Sequence, residues 1–594
     1  MSTTPLVEAQ AIPARAEIAA SMDAVVISPR EAAMATAIRR TLTAAGAAPR
    51  GSAGGFRILP DRFAQLLEAS DAIDIAWAVG SERFVRNRLE LSRRHATALS
   101  ALRALVAGGR QAATATLCDI QGLEQLDDHQ VVNVAAMTIP EAPGLCILDE
   151  QGTGKTVVTI YGFDALVARK EVDFLLILAP KSMVPEWICD FERFKGDLYD
   201  LGAMVGDRRE KRAALAARKD VLVTNYETAV SMEAELSAHL RQHRGRAMLV
   251  VDESFFAKNF DAARTRAIRR LREECDRAYV LCGTPAPNRP HDVVEQFNIV
   301  DFGATFGGVK IPEDRAAALP VIRQAMEARG LYVRHRKQDV LPDLPQRRYT
   351  RVPLALRPEQ RRAYEAALQN LILDLRSTDD REFARRIPSI LARHSALLQI
   401  CASPASVIPG YSEIPAKLLA LDEILEDAIV RGGEKVVVWS FFTDSIDAIV
   451  QRYERFFPAR YDGQVTDVRA RREAVRRFQE DDSTMLFVAN PAAAGAGLTL
   501  HRARIAVYES LSINTAHFLQ SLDRIHRRGQ RRDVDYIFLV CEGSIEIQEY
   551  ERIATKEAAA RDLLSDGGAT PPTREVLLRE ALDLHRLINE VPLP

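Results

Sequence analysis

The residues Asp149-Glu-Gln-Gly-Thr-Gly-Lys-Thr156 carry the clearest chemistry in this 594-residue chain. Gly152 and Gly154 let the backbone turn sharply, so that successive N–H groups and the start of a following helix converge where an anion fits. Lys155 adds a charge for the outer phosphates of ATP, Thr156 offers a hydroxyl to Mg2+, and Gly152, Thr153 and Gly154 form the cradle between them. A strict Walker loop has glycine where Asp149 stands, so this is a looser version of the phosphate loop.

Two further clusters suit the same substrate. Asp252-Glu253 follows the apolar run Ala247-Met-Leu-Val-Val251. One carboxylate there can hold a metal ion while its neighbour orients an attacking water. Arg524 and Arg527, in Gln520-Ser-Leu-Asp-Arg-Ile-His-Arg-Arg-Gly-Gln530, lie three residues apart, which on a helix puts both guanidinium groups on one face. Gln130, in a polar turn ahead of the phosphate loop, is a candidate for reading an adenine edge, against the alternative of a solvent-facing side chain.

These groups need a scaffold, and the pattern supplies one. Phe174–Ala179, Val221–Val223 (after Asp220), Ala247–Val251 and Ala278–Cys282 are unbroken apolar runs, each followed by polar residues and separated by helical stretches. Such runs imply a parallel sheet covered on both faces, with ligands at its carboxyl edge. A second unit of this kind begins near Lys417, with strands at Lys435–Ser440, Met485–Ala489, Ile505–Tyr508 and Tyr536–Val540 and a Gly-Ala-rich bend at Ala494–Leu500. Before the first unit the pattern is mostly helical, with Pro29 and Pro60 at first helical positions.

Composition sets limits. At 47% hydrophobic and 27% charged residues the chain reads as globular, and its length suggests about three or four domains. A formal net charge of -2 means that nucleic acid would have to be held by local basic clusters; candidates are Arg208–Arg212, Arg264–Arg272 and Arg334–Lys337. The seven cysteines form no C-x-x-C pair, which argues against a zinc site or disulfide framework and suits a reducing cytoplasm. No signal peptide or run of ~18 apolar residues is found, so no membrane partner is expected.

The order and wording of the motifs resemble the Swi/Snf-type translocase family of superfamily-two helicases. The resemblance rests on Asp149–Thr156, on Leu178-Ala-Pro-Lys-Ser182 with Trp187, on Asp252-Glu-Ser-Phe255 with Lys258-Asn259, and on Gly283–Asn288. Arg334-His-Arg-Lys-Gln-Asp-Val340, Leu398–Pro404 and Gln520–Gln530 extend it through the second half. It implies an α/β fold of two tandem RecA-like lobes with parallel sheets, an N-terminal mainly helical accessory domain and a helical connector. The expected boundaries are 1–115 for the accessory domain, 116–345 for lobe one and 346–415 for the connector. Lobe two then covers 416–564, and a linker with a last helix covers 565–594.

Carried onto this chain, the resemblance makes Lys155, Asp252, Glu253, Arg524 and Arg527 catalytic, with the two arginines as fingers on the γ-phosphate. It places ATP on Gln130, Gly152–Thr156 and Gln520, and Mg2+ on Thr156 and Asp252. DNA phosphates would meet Lys181, Ser182, Thr224, Lys258, Ser440 and Thr499. The implied activity is ATP-dependent translocation on double-stranded DNA, in repair, fork remodelling or anti-phage defence, with room for partner subunits. Two alternatives stay open: a nucleotide-gated DNA clamp with little turnover, and a true strand-separating helicase. The family usually has histidine where Phe255 stands, which puts the coupling of hydrolysis to DNA in question.

Overall fold

The computed structural model describes residues 12–18, 25–30, 35–50, 55–58, 60–69, 73–118, 120–243, 245–257, 262–283, 285–286, 290–377, 380–465, 467–493, 498–511, 515–560 and 574–590. Three sheets organise them.

The first sheet occupies the N-terminal region. Strands β1 (Ile12–Ile18), β2 (Val25–Pro29), β3 (Ala48–Arg50), β4 (Gly55–Ile58) and β5 (Ile73–Trp77) run in the order β3-β4-β2-β1-β5. All pairs are antiparallel except β1 with β5. Helices Ala35–Ala44, Pro60–Ala69 and Ser81–Thr116 supply the larger share of residues here, as expected, and Pro60 opens its helix. The sheet itself was not anticipated, because its strands are too short and too interrupted to show a clear period of two. Pro29 is a correction: it ends β2 opposite Ala14, a place where a missing N–H is tolerated.

The helix Ser81–Thr116 docks this region onto the first lobe. The Arg88 guanidinium lies over the Phe302 ring and pairs with Glu273, the His95 ring meets the Arg329 carbonyl at 2.7 Å, and Arg103 donates to the Glu327 carbonyl at 2.8 Å.

The first lobe is a wholly parallel seven-stranded sheet. Its strands are β6 (Gly144–Ile147), β7 (Phe174–Ala179), β8 (Leu201–Ala203), β9 (Val221–Asn225), β10 (Ala247–Asp252), β11 (Arg277–Leu281) and β12 (Tyr332–Val333). The order β12-β6-β11-β10-β7-β9-β8 leaves β6, β11, β10 and β7 in the middle, with apolar clusters on both faces. That two-sided burial is why these strands read as continuous apolar runs. In the helix Asp128–Met137 every residue from His129 to Met137 is buried, packed against the helices Ser81–Thr116 and Lys155–Ala168.

The second lobe repeats the plan with six parallel strands: β13 (Arg347–Leu354), β14 (Val436–Trp439), β15 (Ala459–Tyr461), β16 (Leu486–Ala489), β17 (Ile505–Tyr508) and β18 (Val534–Cys541), in the order β13-β18-β17-β14-β16-β15. β13 corrects the expected connector. Its first residues join this sheet by pairing with β18 over eight positions, and only afterwards do the helices Pro358–Ser377 and Asp380–Ala402 begin. The last helix, Arg574–Glu590, packs Leu577, Ala581 and Leu584 into the same apolar cluster as Tyr364 and Leu368.

A fully buried ion pair pins the lobe from inside. Lys417 Nζ donates to Glu546 Oε1 and to the Glu509 carbonyl, both at 2.5 Å, while Glu546 Oε2 accepts from the Cys541 amide at 2.9 Å. Among the described residues, no helix is long and apolar enough to cross a membrane.

Candidate active site

The phosphate loop joins β6 to the helix Lys155–Ala168 at the carboxyl edge of the first sheet. Gly152 (φ 83°) and Gly154 (φ 98°) take left-handed backbone angles that side chains resist, so the turn needs glycine at both. A Cβ on Gly154 would also lie 2.2 Å from Gln130 Nε2. Lys155 is buried, with Nζ donating to the Asp149 carbonyl at 2.9 Å and the Glu150 carbonyl at 3.3 Å. Thr156 is half-buried in the first helical turn.

Asp149 explains the departure from a strict Walker loop. Its carboxylate is 1% exposed; Oδ2 accepts from Asn133 Nδ2 at 2.6 Å, and Oδ1 accepts from the His335 amide at 2.8 Å and faces His335 Nδ1 at 2.9 Å. Burial opposes its ionisation, but the His335 hydrogen bonds and the Lys155 charge outweigh that and hold it below the usual carboxylate range. Asp149 thus replaces a glycine with a tie between the loop, the helix Asp128–Met137 and the segment after β12.

Gln130 serves the loop as well. Its Oε1 accepts from the Asp127 amide at 3.0 Å to close a capping box, and its Nε2 donates to the Thr153 carbonyl at 2.8 Å. Both ends of the amide are engaged with this chain, and His129 Nε2 reaches the same Thr153 carbonyl at 3.0 Å. In this arrangement Gln130 braces the cradle from below instead of facing an adenine or the solvent.

At the end of β10, Asp252 and Glu253 are both buried. Asp252 Oδ2 accepts from the Trp187 indole N–H at 2.9 Å and Oδ1 from the Glu253 amide at 2.9 Å, while its carbonyl accepts from the Tyr226 hydroxyl. Burial raises the Asp252 carboxyl above its ordinary value. Glu253 sits at φ 51°, a left-handed angle uncommon for a side-chain-bearing residue, which marks stored strain beside the phosphate loop. Its Oε1 accepts from Gln151 Nε2 at 2.5 Å, and its Oε2 is buried without a partner among the described residues. Burial and the neighbouring Asp252 push Glu253 up to about 7. Gln151 was missed by sequence reasoning: nothing in its type marks a residue that joins the phosphate loop to the acidic pair.

The second lobe contributes Arg524 and Arg527. The helix Thr515–Leu522 ends before them, so the shared helical face expected from their spacing is not formed. The turn Asp523–Gln530 brings them together by another route: Arg524 Nη1 and Arg527 Nη1 both donate to the Leu498 carbonyl, at 3.4 and 3.2 Å. Arg524 is 3% exposed, with Nε and Nη2 unpartnered among the described residues. Burial, then repulsion by Arg527, lowers it to about 10, opposed by Asp523 and by Glu253 across the cleft. A Cβ on Gly152 would lie 3.7 Å from Arg527 Cβ, so the phosphate loop and this turn are in contact. Gln520 is buried on the helix Thr515–Leu522.

The expected DNA contacts divide. Lys181 is exposed, and Ser182 and Thr499 are half-buried. Thr224 and Ser440 are fully buried, which corrects their expected contact with DNA phosphates: Thr224 lies within β9, and Ser440 Oγ meets Ser510 Oγ at 3.2 Å inside the lobe. Lys258 and the bend at residues 494–497 lie outside the described residues. The basic clusters are largely neutralised at home. Arg208 and Arg212 pair with Glu235, Arg264 with Glu227, Arg269 with Glu295 and Arg270 with Glu233. Arg272 and Lys337 are buried.

Comparison with known proteins follows the same layout. Residues 127–406 match the SNF2-related domain and residues 416–529 the helicase conserved C-terminal domain. An uncharacterized ATP-dependent helicase of Mycoplasma pneumoniae is 24% identical over 431 residues, 71% of this chain and 40% of that protein. The SWI/SNF-related matrix-associated actin-dependent regulator of chromatin subfamily A-like protein 1 of Xenopus tropicalis is 27% identical over 419 residues, 67% of this chain and 41% of its own. The DNA repair and recombination protein RAD54-like of Gallus gallus is 24% identical over 488 residues, 72% of this chain and 64% of its own. The chain thus spans about two fifths of the length of the first two relatives. The SWI2/SNF2 ATPase core of Sulfolobus solfataricus, solved in complex with dsDNA, aligns with a TM-score of 0.34 at 22% identity over 79% of this chain and 97% of its own. With a SNF2-related domain followed by a helicase C-terminal domain, the chain belongs to the SWI/SNF-related family of helicase-like proteins.

Proposed function

We propose that this chain is an ATP-hydrolysing motor that moves along the backbone of double-stranded DNA, with its chemistry at the seam between the lobes. The observation that carries the reading is Arg524: a buried guanidinium of the second lobe with two unpartnered nitrogens, in electrostatic reach of Glu253 on the first. Leaving such a group unsatisfied is costly unless a charged partner arrives, and a terminal phosphate in the cradle is a partner of the right sign.

Each residue then has a task. Lys155 exchanges the loop carbonyls for phosphate oxygens. Glu253, with one oxygen fixed by Gln151 and the other free, orients the attacking water. Arg524 and Arg527 offset the charge on the phosphoryl group in flight, a role worth ~10³–10⁵ in rate in other nucleotide hydrolases. The Thr156 hydroxyl and the Asp252 carboxylate would hold Mg2+, which neutralises phosphate charge when bound. They fit a hard cation: all donors are oxygens, and each Asp252 oxygen that takes an N–H from Trp187 or Glu253 keeps a lone pair.

Since the lysine and the acidic pair come from the first lobe and the arginines from the second, hydrolysis reports lobe geometry, and repeated closing and opening would step the lobes along a strand. Exposed Lys181 and half-buried Ser182 and Thr499 would meet phosphates and not bases, so binding should be sequence-tolerant and salt-sensitive. DNA repair and defence against phage are settings that need such a motor.

The test is ATP turnover with and without duplex DNA, for wild type, Lys155→Ala and Glu253→Gln, alongside displacement of a triplex-forming strand. DNA-stimulated turnover lost in both variants, with triplex displacement by wild type, is expected. DNA binding without turnover would make the chain a clamp, and release of a strand from a tailed duplex would make it an unwinding helicase.

A further inference from the structure

The segment after β12 passes between the two halves of the site, and one residue in it touches both. The Lys337 amide donates to Glu150 Oε2 at 2.9 Å, and a Cβ on Gly152 would lie 3.2 Å from Lys337 Cε, so its stem lies against the phosphate loop. Its Nζ donates to Asp523 Oδ1 at 2.6 Å and to the His526 carbonyl at 3.0 Å. Asp523 and His526 are the immediate neighbours of Arg524 and Arg527. The geometry points to Lys337 as the positioning residue that sets where the two arginines stand relative to the phosphate loop, a role resting on the motor reading above.

The surroundings support a register device. Lys337 is 5% exposed, and burial lowers its ammonium to about 8 despite Asp523. A buried charge is tolerated only where its partners are in place, so this one penalises closed arrangements that keep Lys337 buried but misplace Asp523. Once the lobes part, water replaces both partners, and a buried ion pair is worth little against its hydrated halves. The contact therefore selects one closed geometry without locking the lobes shut. Arg347 completes the support, donating Nη2 to Asp523 Oδ1 at 2.8 Å and Nε to His526 Nδ1 at 3.0 Å. His335, two residues before Lys337, is tied to Asp149, so the other end of the strap is fixed on the loop. A cavity of about 540 Å³ lined by Glu150, Gln151, Lys337, Arg347 and Asp523 runs beside it and gives the strap room to shift.

The experiment uses the full chain with Lys337→Met, which keeps the stem and removes the ammonium, together with Lys337→Arg, Asp523→Asn and the Lys337→Met/Asp523→Asn pair. Turnover with duplex DNA, binding of a fluorescent ADP analogue and the radius of gyration by small-angle scattering are measured for each. Expected for Lys337→Met is a fall in kcat of about 30-fold or more, with KM and analogue affinity within threefold of wild type and a larger radius of gyration. Asp523→Asn should behave alike, the pair should be no worse than either single change, and Lys337→Arg should recover part of the loss. A folded Lys337→Met with wild-type kcat overturns the proposal; so does a loss of analogue affinity in step with kcat, or additive effects in the pair. If Lys337→Met does not fold, the Lys337→Arg and Asp523→Asn results decide in the same terms. Wild type that turns over no ATP would sink the motor reading instead, which keeps the two failures apart.

Discussion

Trp187→Phe isolates one hydrogen bond at the acidic pair. The Trp187 ring is fully buried in the core of the first lobe, and its N–H donates to Asp252 Oδ2 at 2.9 Å. Phenylalanine keeps an aromatic plug and removes the donor. A hydrogen bond to an ionised group is worth about 1.5–3 kcal/mol, which at about 1.4 kcal/mol per decade corresponds to roughly 10- to 150-fold in the share of molecules with Asp252 correctly held. The second lobe provides the control. Trp439 is equally buried, but its indole N–H has no partner among the described residues. Trp439→Phe therefore carries the packing cost of the same substitution without the hydrogen bond, and can even gain by removing an unsatisfied donor. Steady-state ATP turnover with duplex DNA and titrated Mg2+, on variants shown to be folded by their melting curves, is the assay. Trp187→Phe should lose at least about tenfold in kcat and need more Mg2+, while Trp439→Phe stays within about threefold of wild type. Equal losses in the two variants, or a Trp187→Phe enzyme at wild-type rate, would refute the role of the indole.

Three more outcomes follow from packing and charge. Lys417→Met leaves Glu546 charged and unpaired in the second lobe, which should cost about 3–5 kcal/mol in chemical denaturation, while Lys417→Met/Glu546→Gln recovers most of it. Gly144→Ala would place a Cβ 1.7 Å from the Ala278 carbonyl oxygen, so β6 and β11 cannot keep their pairing; a loss of about 3 kcal/mol or more, or failure to fold, is expected from the denaturation midpoint. Burial, then Arg347, lowers the buried His526 from 6.5 to about 4. A depressed base favours the neutral folded form, so its contribution is complete above pH 6.5 and is lost as pH falls toward 4, amounting to about 3 kcal/mol. The melting temperature of wild type should drop across that window more steeply than that of His526→Gln.

Much of this was legible in the residues because buried parallel strands announce themselves: Phe174–Ala179, Ala247–Val251 and Ile505–Tyr508 are apolar throughout and belong to inner strands of their sheets. The strands that escaped notice are short or lie at sheet edges. β8 and β15 have three residues each, β12 has two, and β13 is exposed along much of one side, so none has the apolar signature of a core strand. In the site, residue types told which chemistry was present but not which partners were local. Gln130, a candidate ligand group, here closes the capping box of Asp127, and Thr224 and Ser440, candidate phosphate contacts, are buried within their lobes. Arg524 and Arg527 converge through a turn, which spacing alone could not separate from a helix. Asp149, Gln151 and Lys337 act through contacts across 102 to 187 positions of sequence, a range at which no local pattern carries information.

Whether guanidinium groups of the back half complete a phosphate site built by the front half is decided by the turnover of Arg524→Ala and Arg527→Ala at saturating ATP and duplex DNA. Each should lower kcat by about 10³-fold or more with nucleotide affinity little changed. Turnover within about threefold of wild type in both would contradict that role.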